Sequence, residues 1–413
     1  MVQMKFCADH REGQAKRYRY HEVVAARVGR FFVLFFCVTG VPIPVWEFLR
    51  KSSVLAHPID MTVLRRARKR GQKFQNPVET KLGGLGMMLK LLPMYLRNKE
   101  ERVPRVALGP FFTDSRVYQR TPQSGLRVTW FGHSSSLIEI DGLRVLVDPV
   151  WDERASPFSW AGPKRFFAPT IALEDLPRID VVLISHDHYD HLGRETIETL
   201  AGTEMGREAH WVTSAGVGRL LREFGVEPDR VVELDWTQSV VVGGEAGDEL
   251  TITALPARHF SGRSLFNRFE TLWSSFVLKG KKHTVYFGAD SGMWDGFEEI
   301  GQTYGPFDLT MLEVGAFNEL WSSIHMGPGG AAKAFAAMGG SGLLMPIHWG
   351  LFDLALHAWR DPIERITELA DAIGMRLWSP QPGVPTDVVE GQEYRSGWWK
   401  ARRMVSERRL ASS

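Results

Sequence analysis

Six consecutive residues constrain this chain more than any others: His186-Asp187-His188-Tyr189-Asp190-His191. They follow Asp180-Val-Val-Leu-Ile184, an apolar run of the kind that forms a buried strand. In an extended segment, a spacing of two puts His186 and His188 on the same side. Asp190 and His191 then come from the turn that follows, where they can face a second ion beside the first. Imidazole and carboxylate are suitable ligands for zinc. Four ligand-type side chains in six positions would be costly inside a core without a cation. A polar loop rich in histidine by chance is the bland alternative, and the density of ligands argues against it.

Three further candidates sit just past apolar strands. His259 follows Leu250-Thr-Ile-Thr-Ala-Leu255, Asp290 follows Thr284-Val-Tyr-Phe287, and His348 follows Gly342-Leu-Leu-Met345. Any one alone could be a satisfied core histidine or a turn aspartate. With His186, His188, Asp190 and His191 they make seven ligands, enough for two ions. Only two cysteines exist, Cys7 and Cys37, so neither thiolate ligation nor a disulfide framework is available near these residues.

The surrounding pattern is that of an α/β layered domain. Arg127-Val-Thr-Trp-Phe131, Ser136-Leu-Ile-Glu-Ile140 and Arg144-Val-Leu-Val147 read as strands, with Asp141-Gly142 as a hairpin turn. Helical stretches are expected near 193–200, 215–224, 328–338 and 362–373. There is no internal repeat. Hydrophobic residues at 44% and charged residues at 24% exclude a disordered or fibrous chain.

His-x-His-x-Asp-His, followed at long spacing by His, Asp and His, resembles the metallo-β-lactamase superfamily. Within it the chain resembles the N-acylphosphatidylethanolamine-hydrolysing phospholipases D and their bacterial relatives. The segments that carry this are Trp130-Phe-Gly-His-Ser-Ser-Ser-Leu-Ile-Glu-Ile140, Leu146-Val-Asp148-Pro149-Val-Trp151, Ala257-Arg-His259-Phe-Ser-Gly-Arg263, Gly288-Ala-Asp290-Ser-Gly292 and His325-Met-Gly-Pro328. Phe74-Gln-Asn76-Pro77 is similar to a segment that precedes the hydrolase domain in bacterial relatives. The resemblance covers residues 74–382 and leaves residues 1–73 unexplained.

The resemblance implies an αβ/βα four-layer sandwich with an N-terminal helical extension. It also implies a division of ligands: His186, His188 and His259 on one zinc, Asp190, His191 and His348 on the other, and Asp290 bridging. Iron or manganese could replace zinc, because His/Asp sites accept several metals. Asp148 would support a ligand by hydrogen bonding. His133 matches a family position whose role is structural or functional. Where true β-lactamases often carry cysteine, this chain has Asp290, which argues against antibiotic hydrolysis. The implied activity is cleavage of N-acylphosphatidylethanolamine to N-acylethanolamine and phosphatidic acid, with Asp190 and His325 as catalytic candidates. His325 would contact substrate or assist the leaving group, or else simply cap the helix that starts near Pro328. Alternatives are a lactonase or thioesterase on the same two metals, and a non-catalytic membrane-associated metal-binding protein. Phe166, Phe167, Trp294, Phe297, Phe317, Trp321, Phe352 and Trp359 are expected mostly in the core, with a few lining an apolar approach.

Charge is unevenly spread. Residues 1–105 hold 21 Lys+Arg and 8 Asp+Glu, whereas the remainder holds 29 and 40. The expected organisation is a membrane-associating segment at 1–55, a basic helical extension at 56–105, the hydrolase domain at 106–390 and a basic C-terminal tail at 391–413. The apolar run Phe31–Trp46 is short for a spanning helix and is broken by Pro42 and Pro44. It reads as a membrane anchor, with a buried hairpin or a mis-assigned start codon as alternatives. The expected partners are a phospholipid or other phosphodiester and a membrane surface met by the basic N-terminal region. The expected location is cytoplasmic and peripheral to a membrane, and an oligomer is compatible with the sequence. Nucleic acid is not expected, because no long insertion separates Asp290 from His348 and the hydrolase half is acidic.

Overall fold

The computed structural model describes residues 5–6, 64–82, 93–95, 97–244, 247–264 and 266–400. The apolar run at 31–46 and both cysteines lie outside these residues. Among the described residues, no helix is long and apolar enough to cross a membrane.

Two seven-stranded sheets form the centre. The first contains β1 (Leu126–Gly132), β2 (Ser135–Ile140), β3 (Leu143–Val147), β4 (Val181–Ile184), β5 (His210–Ser214) and β6 (Val231–Leu234) in that order. Thr386–Asp387 returns to pair antiparallel with β1 at its edge. The second contains β7 (Ser239–Gly243), β8 (Glu249–Pro256), β9 (Ser274–Lys279), β10 (Thr284–Phe287), β11 (Leu309–Glu313) and β12 (Leu343–Ile347), with Lys5–Phe6 pairing to β7. The Asp141-Gly142 hairpin forms as expected, with φ of 47° and 95°, the positive pair a tight two-residue turn needs.

Strands β3 to β6 are parallel, and so are β10 to β12. Such strands are covered on both faces, which is why they read as unbroken apolar runs. Val145, Val147, Val181 and Leu183 point into the core between the sheets. The alternate residues Leu146, Val182 and Ile184 point into an outer core with helices α1 (Arg194–Gly202) and α2 (Gly218–Glu223). On the far side, α3 (Gly296–Tyr304), α4 (Gly327–Ala337) and α5 (Asp361–Ile373) cover the second sheet, with α4 against β11. Helix α5 buries Ile363, Ile366, Thr367 and Ala370, one face at helical spacing. It starts with Pro362 in its first turn and stops at Gly374, whose φ is 68°. Each fully buried isoleucine or leucine contributes about 1.5–3 kcal/mol. Helix, sheet, sheet, helix: this is the four-layer sandwich.

The direction of the strands positions the site. β1, β3 and β4 run the same way in the first sheet, and β8, β10, β11 and β12 in the second. Their C-terminal ends lead to His133, Asp148, His186, His259, Asp290, Glu313 and His348.

Two expected boundaries are corrected. Within the expected helical extension at 56–105, residues 64–82 form a short hairpin instead, with Lys69–Arg70 paired to Lys73–Phe74 around Gly71 at φ 62°, whereas residues 93–95 and 97 are helical. Phe74 is buried beside Trp236 and Trp273, and its N–H donates to Phe269 O at 2.8 Å. At the other end, residues 391–400 of the expected tail belong to the packed domain. Trp398 and Trp399 are buried, and Trp398 stacks on Trp349 with ring centroids 5.5 Å apart. Residues 401–413 lie outside the described residues.

Candidate metal centre

All seven sequence-identified ligand residues meet at the strand ends. His186, His188, His259 and Asp290 place one ligand atom each within 4.8 Å of one another. Asp190, His191 and His348 do the same together with His133. Asp290 Oδ2 links the two groups. It lies 3.8 and 3.6 Å from the Nε2 atoms of His186 and His259, and 3.3 and 3.0 Å from those of His191 and His348. Within the first group, His188 Nδ1 is 2.9 Å from His186 Nε2 and 3.3 Å from His259 Nε2.

A ring of second contacts holds these side chains in place. Asp148 is fully buried and accepts hydrogen bonds from Ser185 N–H at 2.7 Å and Ser185 Oγ at 2.6 Å. Its Oδ2 is also 2.7 Å from His191 Nδ1, which turns His191 Nε2 toward the centre. His133 Nε2 is 2.9 Å from Asp190 Oδ2. The backbones of His133 and His348 bond to each other across the two sheets: His348 N–H donates to His133 O at 2.9 Å, and His133 N–H donates to Trp349 O at 3.1 Å. His133, Asp148, Ala289 and His348 have φ of 54°, 39°, 47° and 63°. Four non-glycine residues in the left-handed region, all at one strand edge, mark a backbone strained to aim side chains.

Two groups join the site that the sequence did not single out. Glu313, the last residue of β11, is fully buried, and its Oε2 lies 2.6 Å from His325 Nδ1. Asp290, Glu313, His325 and His348 form a third compact cluster of metal-competent atoms. Asn76 clamps the backbone of His259 from both sides. Its Nδ2 donates to His259 O at 2.7 Å, and its Oδ1 accepts from His259 N–H at 3.0 Å. Replacing Asn76 by alanine removes both bonds, worth about 1 kcal/mol each. Hydrogen exchange at the His259 amide should then speed up by about tenfold or more; an unchanged exchange rate would show that the clamp does not hold this loop.

The electrostatics divide the centre. Burial holds His186 and His259 well below the usual histidine range, more than offsetting the attraction of Asp290. Burial, with His348 nearby, takes His133 down to about 3. His191 and His348 go the other way. Burial opposes their charge, but Asp290 and Asp190 overcome it, raising His191 well above the usual range and His348 to about 10. Burial likewise pushes the Asp190 and Asp290 carboxyls up, yet His191 with His133 or His348 holds both well below the usual carboxylate range. The pattern is that of anionic side chains gathered where positive charge is needed. Buried atoms left without a well-formed hydrogen bond repeat the point: His188 Nε2, His191 Nε2, Asp290 Oδ1 and both ring nitrogens of His348.

Of the aromatic side chains expected near the site, Phe167, Trp294, Phe297, Phe352 and Trp359 are buried in the core, while Phe166, Phe317 and Trp321 are half-buried. The exposed aromatics among the described residues are others: Tyr95, Phe112, Phe158, Trp160, Phe266 and Tyr394. Beside the His186–His191 turn, a cleft of about 300 Å³ is lined by Tyr189, Arg263, Phe158 and Phe224.

A family model described as a beta-lactamase superfamily domain matches residues 143–349. An uncharacterized protein of Mycobacterium tuberculosis is 47% identical over 283 residues, covering 68% of this chain and 73% of that one. The N-acyl-phosphatidylethanolamine-hydrolyzing phospholipase D 1 of Caenorhabditis elegans is 32% identical over 325 residues, covering 74% of this chain and 88% of that one. Among solved structures, an isothiocyanate hydrolase from Delia radicum gut bacteria superposes with a TM-score of 0.51 at 18% identity, over 63% of this chain and 99% of that chain, a likeness of fold.

Proposed function

The chain belongs to the metallo-β-lactamase superfamily of metal-dependent hydrolases, and on that premise we propose that it is a two-metal phosphodiesterase of phospholipase D type that cleaves N-acylphosphatidylethanolamine. The observation that carries the substrate is the similarity to the worm phospholipase, which extends over 88% of that protein's length. The site supports the reaction class: six His and Asp side chains converge around Asp290 without a cysteine, and several of their buried atoms want a cation.

His186, His188 and His259 would hold one divalent ion, Asp190, His191 and His348 the other, and Asp290 Oδ2 stands between them. Zinc suits these donors, with iron and manganese as the alternatives. Ions held there would supply positive charge for the oxygens of a reacting ester and lower the pKa of water. The chain's own side chains do the rest. Asp148 and Ser185 orient His191 and the strand end that leads to His186. Asp190, kept ionised by its histidines, holds negative charge at the centre and accepts hydrogen bonds there. His325 faces the two ligand groups, its ring 5.1 Å from those of both His259 and His348, and is placed to assist the leaving oxygen.

The charge division gives one expected result. His186 and His259 are already neutral at pH 7, whereas His191 and His348 carry protons until an ion displaces them. Metal binding at pH 7 should therefore release about two protons, all from the Asp190 side. Calorimetric titration of the chelator-stripped chain in buffers of different ionisation enthalpy measures this, and zero net release would contradict it.

The function itself is tested by giving the purified, zinc-loaded chain N-acylphosphatidylethanolamine, a lactone and a thioester. Release of N-acylethanolamine and phosphatidic acid is the expected outcome. Turnover of the lactone or thioester without the lipid would replace this reading with the corresponding hydrolase, and no turnover of any with both ions bound would favour a binding protein.

A further inference from the structure

We propose that Glu313 is a positioning residue whose buried carboxylate fixes His325 with its proton on Nδ1 and its Nε2 presented to the metal centre. Glu313 ends β11, and no part of its side chain reaches solvent. An apolar residue would be the stable choice at such a place, since burying a carboxylate costs more than it returns unless it is paired. Here both oxygens are engaged. Oε2 is 2.6 Å from His325 Nδ1, and Oε1 accepts from Met326 N–H, also at 2.6 Å. The one carboxylate therefore grips both the imidazole and the backbone just after it, at the entrance to α4.

The tautomer follows from the donor inventory. Burial pushes the Glu313 carboxyl up and His325 opposes that rise; with Oε1 accepting from Met326 N–H and Oε2 accepting from the imidazole, the shared proton sits on Nδ1. Nε2 is then the free nitrogen, and it has no hydrogen-bond partner among the described residues. The ring lies nearly parallel to His348, at 26° between planes, and edgewise to His259 at 65°. Those two histidines come from different ligand groups, so His325 spans both. Its side chain is 12% exposed, which leaves it reachable from solvent. Without Glu313 the His325 ring has no side-chain anchor; what remains is backbone, from His325 N–H to Trp321 O at 3.3 Å and Met326 N–H to Ser291 O at 3.2 Å, with His259 Nδ1 3.0 Å from Ile324 O.

This inference rests on reading the centre as hydrolytic only for its consequence. In the protonated ring, Nε2–H gives its proton to the leaving oxygen as the ester P–O bond breaks. The Nδ1–H stays on the ring, donated to Glu313 Oε2; the oxygen of the water consumed bonds to phosphorus, and its proton restores the one that was given up.

The test uses the full zinc-loaded chain, labelled with ¹⁵N-histidine, as wild type, Glu313→Gln, Glu313→Leu, Glu313→Asp and His325→Asn. The wild-type spectrum should show His325, identified by its loss in His325→Asn, protonated at Nδ1. Glu313→Leu should shift it toward the other tautomer. On a dialkyl phosphodiester, Glu313→Gln should lower kcat by about 10²-fold with KM within about twofold. On bis(4-nitrophenyl) phosphate, whose leaving group needs no proton, the loss should be under about threefold. Glu313→Asp should recover part of the loss, and Glu313→Gln should add nothing to His325→Asn. Metal content should stay unchanged throughout. A neutral wild-type His325 with its single proton on Nε2 instead of Nδ1, equal losses on both substrates, or metal lost with the carboxylate would each overturn the proposal. If no phosphodiester is turned over, the functional reading fails, and the tautomer measurement still decides the role of Glu313.

Discussion

Asp290→Asn is expected to leave a folded chain whose turnover has fallen by about 10³-fold or more, beyond the usual loss from removing one stabilising donor. The reason is geometric. Among the described residues, Asp290 Oδ2 is the atom placed within 4 Å of Nε2 from both ligand groups, with His186 and His259 on one side and His191 and His348 on the other. Asparagine keeps the shape and removes the charge that the two groups share. His348 then loses the carboxylate that contributes most to holding it at about 10, and its protonation should become easier to reverse. Steady-state kinetics beside metal analysis measures the effect. Retained activity with two ions per chain would show that Asp290 does not link the groups.

Asp148→Ala should act on stability as much as on activity. Asp148 is fully buried and takes three contacts: Ser185 N–H, Ser185 Oγ and His191 Nδ1. Burial pushes its carboxyl up, opposed by His191 and Ser185, so it is an expensive group kept for its partners. Alanine leaves the buried Ser185 N–H and the His191 Nδ1 without this partner, and Ser185 Oγ with only His186 Nδ1 at 2.9 Å. Breaking such a pair costs about 3–5 kcal/mol, and losing the support of a ligand costs about 10- to 100-fold in metal affinity. Denaturant unfolding and a competitive chelator titration separate these two effects. A variant as stable as wild type would contradict the account of the strand edge.

The sequence made the centre legible because its parts are local. His186 to His191 stand directly after an apolar strand, and His259, Asp290 and His348 each sit a few residues past another. Their strand ends all fall on one edge because β1, β3 and β4 run one way, as do β8, β10, β11 and β12. Glu313 belongs to the same series, after Leu309-Thr-Met-Leu, and that apolar run was the available signal. A glutamate ending a short strand reads as solvent-facing unless its partner His325, twelve positions on, is known to fold back over it. Asn76 and His259 are 183 positions apart, so no local pattern could pair them. Strands β5, β6, β7, β9 and β11 also went unread. In β7 the buried positions alternate with half-buried ones in only five residues, too short a run for a clear period. At the C-terminus, Trp398 and Trp399 sit among basic residues and look like a tail. They are core because Trp130 and Trp349, far away in the chain, offer a stacking surface. Between Lys69 and Phe74, Gly71 lets the chain reverse where helix was expected.

The central claim, two ions held by seven His and Asp side chains about Asp290, is tested most directly by anomalous X-ray diffraction from crystals of the purified chain at the absorption edge of its metal. The account predicts two anomalous peaks about 3.5–4 Å apart, one against His186, His188 and His259, the other against Asp190, His191 and His348, with Asp290 touching both. A single peak, or a pair in which the Glu313–His325 cluster replaces one of these groups, would contradict it.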